Sequence, residues 1–285
     1  MTSKAYAKLN LFLDVISRRD DGFHDIRSIM HTVSMCDELE IDITTSDVLL
    51  IDFSSDDPML ANTDNLVYRA IKLYMSRCNL NAKITARLFK RIPIESGLGG
   101  GSSDAAAALR MLNSVFGTLS EKQMLALCAE LGSDIPFLYL GKTAYCEGRG
   151  EKITPIRCDR CYHFVIAIGK ERISTPEAYG ELDRIYSNFD GSVPSFQSDK
   201  LPRLRLSDED GYEVALYNIF EEAIPRDFGD VFKLKERLIS LGASNSLMSG
   251  SGPAVFGIFD DEESARAAVR FLNNDGVSAF YAHSI

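Results

Sequence analysis

The chain has 285 residues, 45% of them hydrophobic and 25% charged, enough to bury a substantial core in one large or two medium domains. No apolar run approaches the ~18 residues that span a bilayer, and the first residues lack the basic-then-apolar layout of a secretory signal, so a cytoplasmic location and no membrane partner are expected. A formal net charge of −10 argues against nucleic acid as a partner and leaves room for a local basic pocket that takes a small anionic substrate.

The chain opens on a strand. Ala5, Ala7, Leu9, Leu11, Leu13 and Val15 fall on one face and Tyr6, Lys8, Asn10, Phe12 and Asp14 on the other, the alternation of a half-buried strand. Further strands read at 38–44, 48–53 and 83–88, with a helix over 65–78 ahead of the last. A glycine-rich loop precedes an alanine-rich helix over 105–116, for which Ser102, Ser103 and Asp104 offer N-cap chemistry and Gly117 a stop. Ser120 and Gln123 have the spacing of a capping box and open a helix that Gly132 closes; a short helical segment over 134–140 leads to a strand over 143–147.

Near 154–159 the pattern restarts, which divides the chain into domains at 1–155 and 156–285. The second domain reads as a buried strand over 162–169, a helix over 175–186, a Ser-, Pro- and Asp-rich loop over 187–206, and helices over 208–222 and 228–241. It closes strand–helix–strand at 254–259, 262–273 and 278–283, which suits a small α+β sandwich with helices on one sheet face. Cys36, Cys78, Cys128, Cys146, Cys158 and Cys161 show no repeating spacing and are read as reduced thiols; the Cys158–Cys161 pair lacks the second pair or spaced histidines of a zinc site.

The stretch PIESGLGGGSSDAAAA, residues 93–108, carries the clearest chemistry. Gly97, Gly99, Gly100 and Gly101 reach positive φ without penalty and can turn successive N–H groups toward one point, and the helix start behind them favours an anion, so the segment reads as a polyphosphate cradle. In isolation a glycine triplet serves equally as a linker. No Gly-Lys-Ser/Thr closes the loop as in a Walker A motif, and Ser102 breaks the Gly-x-Gly-x-x-Gly dinucleotide fingerprint. Lys8 and Asn10 project from the same side of the first strand, about 7 Å apart. Read bare, Lys8 is a solvated edge charge, Asp134 in LGSDIPF is a helix N-cap, His24 is structural, and the turn SGSGP at 249–253 is an ordinary connection. Together, a polyphosphate cradle, a carboxylate to deprotonate a hydroxyl and a cation at the reacting oxygens are the parts that phosphoryl transfer to an alcohol needs.

With these motifs in place the chain resembles the GHMP small-molecule kinase superfamily. The resemblance runs through AKLNLFL at 7–13, DGFH at 21–24, NLVYRA at 65–70, PIESGLGGGSSDAA at 93–106, LGSDIPF at 131–137, EGRGE at 147–151 and SGSGPAVFG at 249–257. It implies a two-domain α+β fold, the N-terminal domain like domain 2 of ribosomal protein S5 and the C-terminal one a ferredoxin-like sandwich. AKLNLFL with DGFH marks the branch that phosphorylates the 2-hydroxyl of a cytidyl diphosphate sugar alcohol in non-mevalonate isoprenoid synthesis, with ATP as co-substrate and Mg2+, as a monomer or homodimer. On this resemblance Lys8 and Asp134 are the catalytic pair, with Asp134 the general base. The ATP site comprises Pro93, Ile94, Glu95, Ser96, Gly97, Leu98, Gly99, Gly100, Gly101, Ser102 and Ser103, with Asn65 and Lys90 on the adenine side. Asn10 holds the polyol, His24 hydrogen-bonds the cytosine, Phe23 and Tyr179 stack on it, and Thr175 lies nearby. Two features depart from the family: phenylalanine replaces its usual tyrosine at position 23, and Glu95 and Ser96 stand where small residues are usual. A charge at Glu95 repels a polyphosphate unless it points away or faces magnesium.

Three alternatives follow from the same fold: a superfamily kinase acting on homoserine, mevalonate or a sugar, a nucleotide sensor without catalysis, and an RNA-binding module. The first would lack the AKLNLFL and DGFH residues, the second could dispense with Lys8 or Asp134, and the acidic balance opposes the third.

Overall fold

A computed structural model describes residues 1–170, 174–186, 201–223 and 230–285. In chain order the elements are strands β1 (Thr2–Arg18), β2 (His24–Thr44) and β3 (Leu50–Ser55), helix α1 (Leu66–Arg77), strand β4 (Lys83–Phe89), helices α2 (Gly100–Phe116), α3 (Glu121–Leu131) and α4 (Ile135–Leu140), and strands β5 (Thr143–Gly148), β6 (Lys152–Pro155) and β7 (His163–Ile168). There follow helix α5 (Thr175–Ile185), strands β8 (Arg203–Arg205), β9 (Glu213–Ala215) and β10 (Tyr217–Asn218), helices α6 (Phe220–Ala223) and α7 (Val231–Ser240), strands β11 (Asn245–Met248) and β12 (Ala254–Phe259), helix α8 (Glu262–Asn274) and strand β13 (Ala279–His283). They form two compact units, one of Met1–Ala7, Cys36–Ile94 and Gly99–Gly141, the other of Lys8–Met35, Glu95–Leu98 and Lys142–Ile285. Both mix strands with helices, the α+β class expected.

In the first unit the end of β2 pairs antiparallel with β4, from Glu38 opposite Phe89 to Thr44 opposite Lys83, and β3 lies parallel on the other side of β4. Ile84, Ala86 and Leu88 alternate into the core. Helix α1 starts where the Asn65 side chain accepts the Val67 amide at 2.8 Å, and it buries Val67, Ala70, Ile71, Tyr74 and Met75 at helical spacing. The alanine run 105–108 is fully buried, and small side chains let α2 lie close against α1 and α4. The expected capping box is present, Ser120 N–H donating to Gln123 Oε1 at 2.9 Å. The expected N-cap of α2 is corrected: the cap is Gly99, left-handed at φ 72, and the helix begins at Gly100. Ser102, Ser103 and Asp104 therefore lie inside its first turns.

In the second unit the start of β2 pairs antiparallel with β5, which pairs with β6, and β10 lies parallel to β1. A separate antiparallel sheet runs in the order β11-β12-β7-β13. Leu234 and Leu238 of α7 and Ala265, Ala268 and Leu272 of α8 pack with Val165, Ala167, Val255 and Phe259, the side chains of one sheet face. Gly257 permits the close fit of α7: a Cβ there would stand 3.0 Å from Ala243 Cβ and 3.2 Å from Leu238 Cβ.

Three readings are revised. Most of β2, from His24 to Asp37, was not anticipated as strand, because Ser28, His31 and Thr32 are buried beside Ile29 and Met30 and erase the polar–apolar alternation. The helix expected over 208–222 is instead β9, β10 and the short α6; Gly211 at φ 68 breaks the backbone, and Val214, Leu216 and Asn218 are buried at a period of two. The loop expected over 187–206 lies outside the described residues up to 200, and its end forms β8, antiparallel to β9. All six cysteines are free thiols, and among the described residues no helix is long and apolar enough to cross a membrane.

Gly257→Ala should cost about 1–3 kcal/mol through overpacking against α7. Urea unfolding checks this, and an unchanged midpoint would show that α7 yields freely.

Candidate active site

Lys8 is not a solvated edge charge. Its side chain is 3% exposed, and Nζ donates to Asn10 Oδ1 at 2.5 Å, so the two residues do share one environment. Asn10 then donates through Nδ2 to Ser28 Oγ at 2.9 Å, and Ser28 Oγ donates to the Phe12 carbonyl at 2.7 Å. This chain fixes the amide of Asn10 with its oxygen toward the ammonium. Both faces of β1 are therefore covered here, and the half-buried reading holds only for its apolar side.

The turn at 249–253 is likewise more than a connection. Ser249 Oγ accepts the Asn10 amide at 3.3 Å and donates to the Gly97 carbonyl at 3.1 Å, while Ala254 N–H donates to the Ser96 carbonyl at 3.1 Å. Gly97 has φ 82, and a Cβ on it would fall 2.1 Å from the Ser249 carbonyl oxygen. Gly250, at φ 58, passes so near that its own Cβ would stand 3.2 Å from the Gly97 oxygen and 3.5 Å from Lys8 Nζ. Lys8 N–H donates to the Leu98 carbonyl at 2.9 Å. Two glycine turns thus meet as bare backbone beside an ammonium. Glu95, just ahead, is exposed and left-handed at φ 53, a conformation unusual for a residue with a side chain.

In the other unit, the loop passes through Gly99 into the start of α2, whose first amides have no acceptor within the helix. Ser103 Oγ donates to the Tyr6 carbonyl at 2.7 Å. Beneath lies a buried ionic cluster: Lys90 Nζ donates to Asp37 Oδ2 at 2.5 Å and to Asp104 Oδ2 at 2.8 Å, and Asp37 Oδ1 accepts the amides of Arg91 and Ile92. A Cβ on Gly100 would stand 3.2 Å from Lys90 Nζ, so the bare residue lets the helix start sit over the lysine. Burial pushes the Asp104 carboxyl up to about 8, against the attraction of Lys90 and with the repulsion of Asp37; its Oδ1 is buried with no hydrogen-bond partner among the described residues. Burial also acts to lower the Lys90 pKa, but Asp104 and Asp37 outweigh it and leave the ammonium above its ordinary value.

Asn65, which resemblance puts on the adenine side with Lys90, spends its side chain on backbone, accepting from Val67 and donating to the Leu60 carbonyl at 3.1 Å. The adjacent Leu66 comes within 3.7 Å of a Cβ placed on Gly101, so the starts of α1 and α2 adjoin. Asp134 immediately precedes α4, yet its carboxylate does not cap the helix amides, which removes the simple capping reading. Arg110 ties α4 to α2 by donating to the Leu138 carbonyl at 2.6 Å.

The aromatic residues form a cluster in the second unit. His24 is buried, its Nε2 lies 2.7 Å from Asp183 Oδ1, and its ring stacks on Tyr179 with centroids 4.5 Å apart. Tyr179 meets Phe220 edge-on at 4.9 Å. Thr175 Oγ1 is 3.1 Å from Ser251 Oγ, which joins α5 to the second glycine turn. Phe23 stands 50% exposed. Sequence reasoning missed Asp37, Asp183 and Ser249. Asp183 reads as one more surface acid on a helix, whereas Asp104, a charge at the head of an apolar alanine run, did carry a signal of burial.

Known proteins resemble this chain over nearly its whole length. A model of the GHMP kinases N-terminal domain matches residues 65–142, and one of the GHMP kinases C-terminal domain matches residues 214–278. The chain is 35% identical over 266 residues to a 4-diphosphocytidyl-2-C-methyl-D-erythritol kinase of Clostridium botulinum, covering 92% of this chain and 91% of that one. It is 36% identical over 273 residues to the protein of the same name from Caldicellulosiruptor saccharolyticus, covering 94% and 91%. A crystal structure of 4-(cytidine 5'-diphospho)-2C-methyl-D-erythritol kinase superposes with a TM-score of 0.81 at 30% identity, over 99% of this chain and 98% of that one. A mevalonate kinase from Methanococcus jannaschii shares the fold at a TM-score of 0.68 and 14% identity, over 100% and 98%.

The native state favours protonated Asp104, so this group stabilises the fold below its ordinary value of 3.8, and that contribution is lost as pH rises through about 8. Between those limits the melting temperature of the unsubstituted protein should fall more steeply with pH than that of Asp104→Asn. Thermal melts at constant ionic strength measure this; parallel slopes would show that Asp104 holds no proton.

Proposed function

Because the chain belongs to the GHMP kinase family, we propose that it transfers the γ-phosphoryl group of ATP to the 2-hydroxyl of 4-diphosphocytidyl-2-C-methyl-D-erythritol, a step of non-mevalonate isoprenoid synthesis. The observation that carries the chemistry is the buried Lys8 ammonium, oriented by Asn10 beside the bare backbone of Gly97 and Gly250. Amides of the glycine loop and of the α2 start receive the phosphates, since unpaired N–H groups and the positive helix end both favour an anion. Lys8, held by Asn10, offsets charge developing on the transferred group. Asp134 accepts the proton of the attacking hydroxyl, and Asn10 holds the polyol.

His24, Phe23 and Tyr179 take the cytosine. A flat heterocycle is held by ring faces, and hydrogen bonds select which base it is. The stacked His24–Tyr179 pair, tied to Asp183, supports this assignment. Pro93 to Ser103 surround the nucleotide, with Asn65 and Lys90 on the adenine side. The buried Lys90 and backbone-bonded Asn65 favour a role in shaping that side over direct contact with the base.

Magnesium fits as a companion of the nucleotide. Among the described residues no group of three or more His, Cys, Asp or Glu side chains could hold a metal, and Mg2+ commonly keeps several waters and binds through phosphates with one or two carboxylates. When bound it neutralises phosphate charge.

ADP release measured with the cytidyl substrate, homoserine, mevalonate and galactose tests the reading. Release with the cytidyl substrate alone is expected, and release with another alcohol alone, or with none, overturns it. Asp134→Asn should leave ATP binding intact while lowering kcat by roughly 10²-fold or more, the usual share of a general base. Unchanged turnover would remove Asp134 from the mechanism.

A further inference from the structure

The turn between β5 and β6 carries a side chain that the scheme above leaves unused. Arg149 stands between Gly148 at φ 69 and Gly150 at φ 115, in the EGRGE run. Its amide donates to Glu151 Oε2 at 2.6 Å, and Gly150 N–H closes the turn onto the Glu147 carbonyl at 3.1 Å. The Glu151 carboxylate fills the space a side chain at 148 would need, 2.6 Å from the position of its Cβ. Two left-handed glycines and a folded-back glutamate therefore fix the direction in which one long side chain leaves the hairpin. Its guanidinium carbon lies 4.3 Å from the centroid of the Phe23 ring.

The backbone of Phe23 is equally well fixed. Its amide donates to Asp21 Oδ1 at 3.1 Å, its carbonyl accepts the Arg19 amide at 2.8 Å, and the Arg19 guanidinium holds Asp21. The ring is another matter: half exposed and without a polar atom, it can be oriented only by what covers its face. A guanidinium does this well, because it is planar, weakly hydrated and attracted to the negative face of the ring. With one face taken by Arg149, a ligand that stacks on this half-exposed ring would use the other. His24, the next residue, stacks on Tyr179, so a held ring at 23 adjoins an already ordered pair.

We propose that Arg149 is a positioning residue for base recognition: its guanidinium holds the Phe23 ring as a fixed wall against which the cytosine of the substrate stacks. This rests on the reading of Phe23 given above. The arginine acts through the ring and takes no part in the transfer itself.

Calorimetric titration with CDP, alongside steady-state kinetics, tests it on the full chain. Arg149→Met should weaken CDP binding and raise the KM of the cytidyl substrate about three- to tenfold, the range of a partly desolvated cation–π contact. kcat and the KM for ATP should stay within about twofold, because stacking is lost equally from ground and transition states. Arg149→Lys should recover part of the affinity. In a Phe23→Leu background Arg149→Met should have no further effect, since the ring it holds is gone. An equal loss in both backgrounds would mean that Arg149 touches the substrate directly, and no loss in either would mean that it holds nothing; both overturn the proposal. Failure of the unsubstituted protein to bind CDP would instead remove the substrate assignment on which the proposal stands.

Discussion

Two glycine turns touch at a point where neither can carry a side chain, and the arrangement of the candidate site follows from that contact. The Ser249 carbonyl occupies the space of the missing Cβ of Gly97, and the Ser249 hydroxyl joins the Gly97 carbonyl to the Asn10 amide. Asn10 in turn orients Lys8. Segments at positions 8–10, 97 and 249–250, far apart in the chain, are thereby placed with little freedom. Polar groups held in this way do not have to reorganise when charge moves, which is the main economy an enzyme has over water.

The two buried lysines show how environment divides the work of one residue type. Lys90 meets the Asp37 carboxylate and the Asp104 carboxyl and has become part of the scaffold, with its neighbours' backbone amides bonded to the same Asp37. Lys8 donates to the side-chain oxygen of Asn10, two residues along the same strand, and lies beside the bare backbone of Gly250. Breaking a buried ion pair strands a charge and is costly, which is why a lysine so engaged serves the fold.

Much of this was legible in the sequence, for physical reasons that can be named. The alternation from Ala5 to Val15 required a strand, and its apolar side is buried throughout. Ser120 with Gln123 required a helix start, and the capping box formed. The glycine loop was recognisable because only glycine makes such a backbone cheaply. Most of what escaped involves polar groups that find partners inside the fold. Ser28, His31 and Thr32 hid most of β2, and Asp37 and Asp183 showed nothing in sequence to separate them from surface acids. The reading of 208–222 as helix failed on a period of two that Val214, Leu216 and Asn218 did display. Local patterns report which side of an element meets apolar matter; they say little about which polar groups find partners far along the chain.

The proton that Asp104 retains bears on more than the fold. With the acid neutral, one lysine and one carboxylate balance beneath the mouth of α2, and the floor of the loop carries no net charge. A polyanion arriving above it therefore meets the full pull of the helix end, undiminished by a second carboxylate below. On the proposed reading, with the nucleotide above this cluster, ionisation of that carboxyl in alkaline solution would add a negative charge beneath the phosphates, and affinity for ATP would fall as pH rises through about 8.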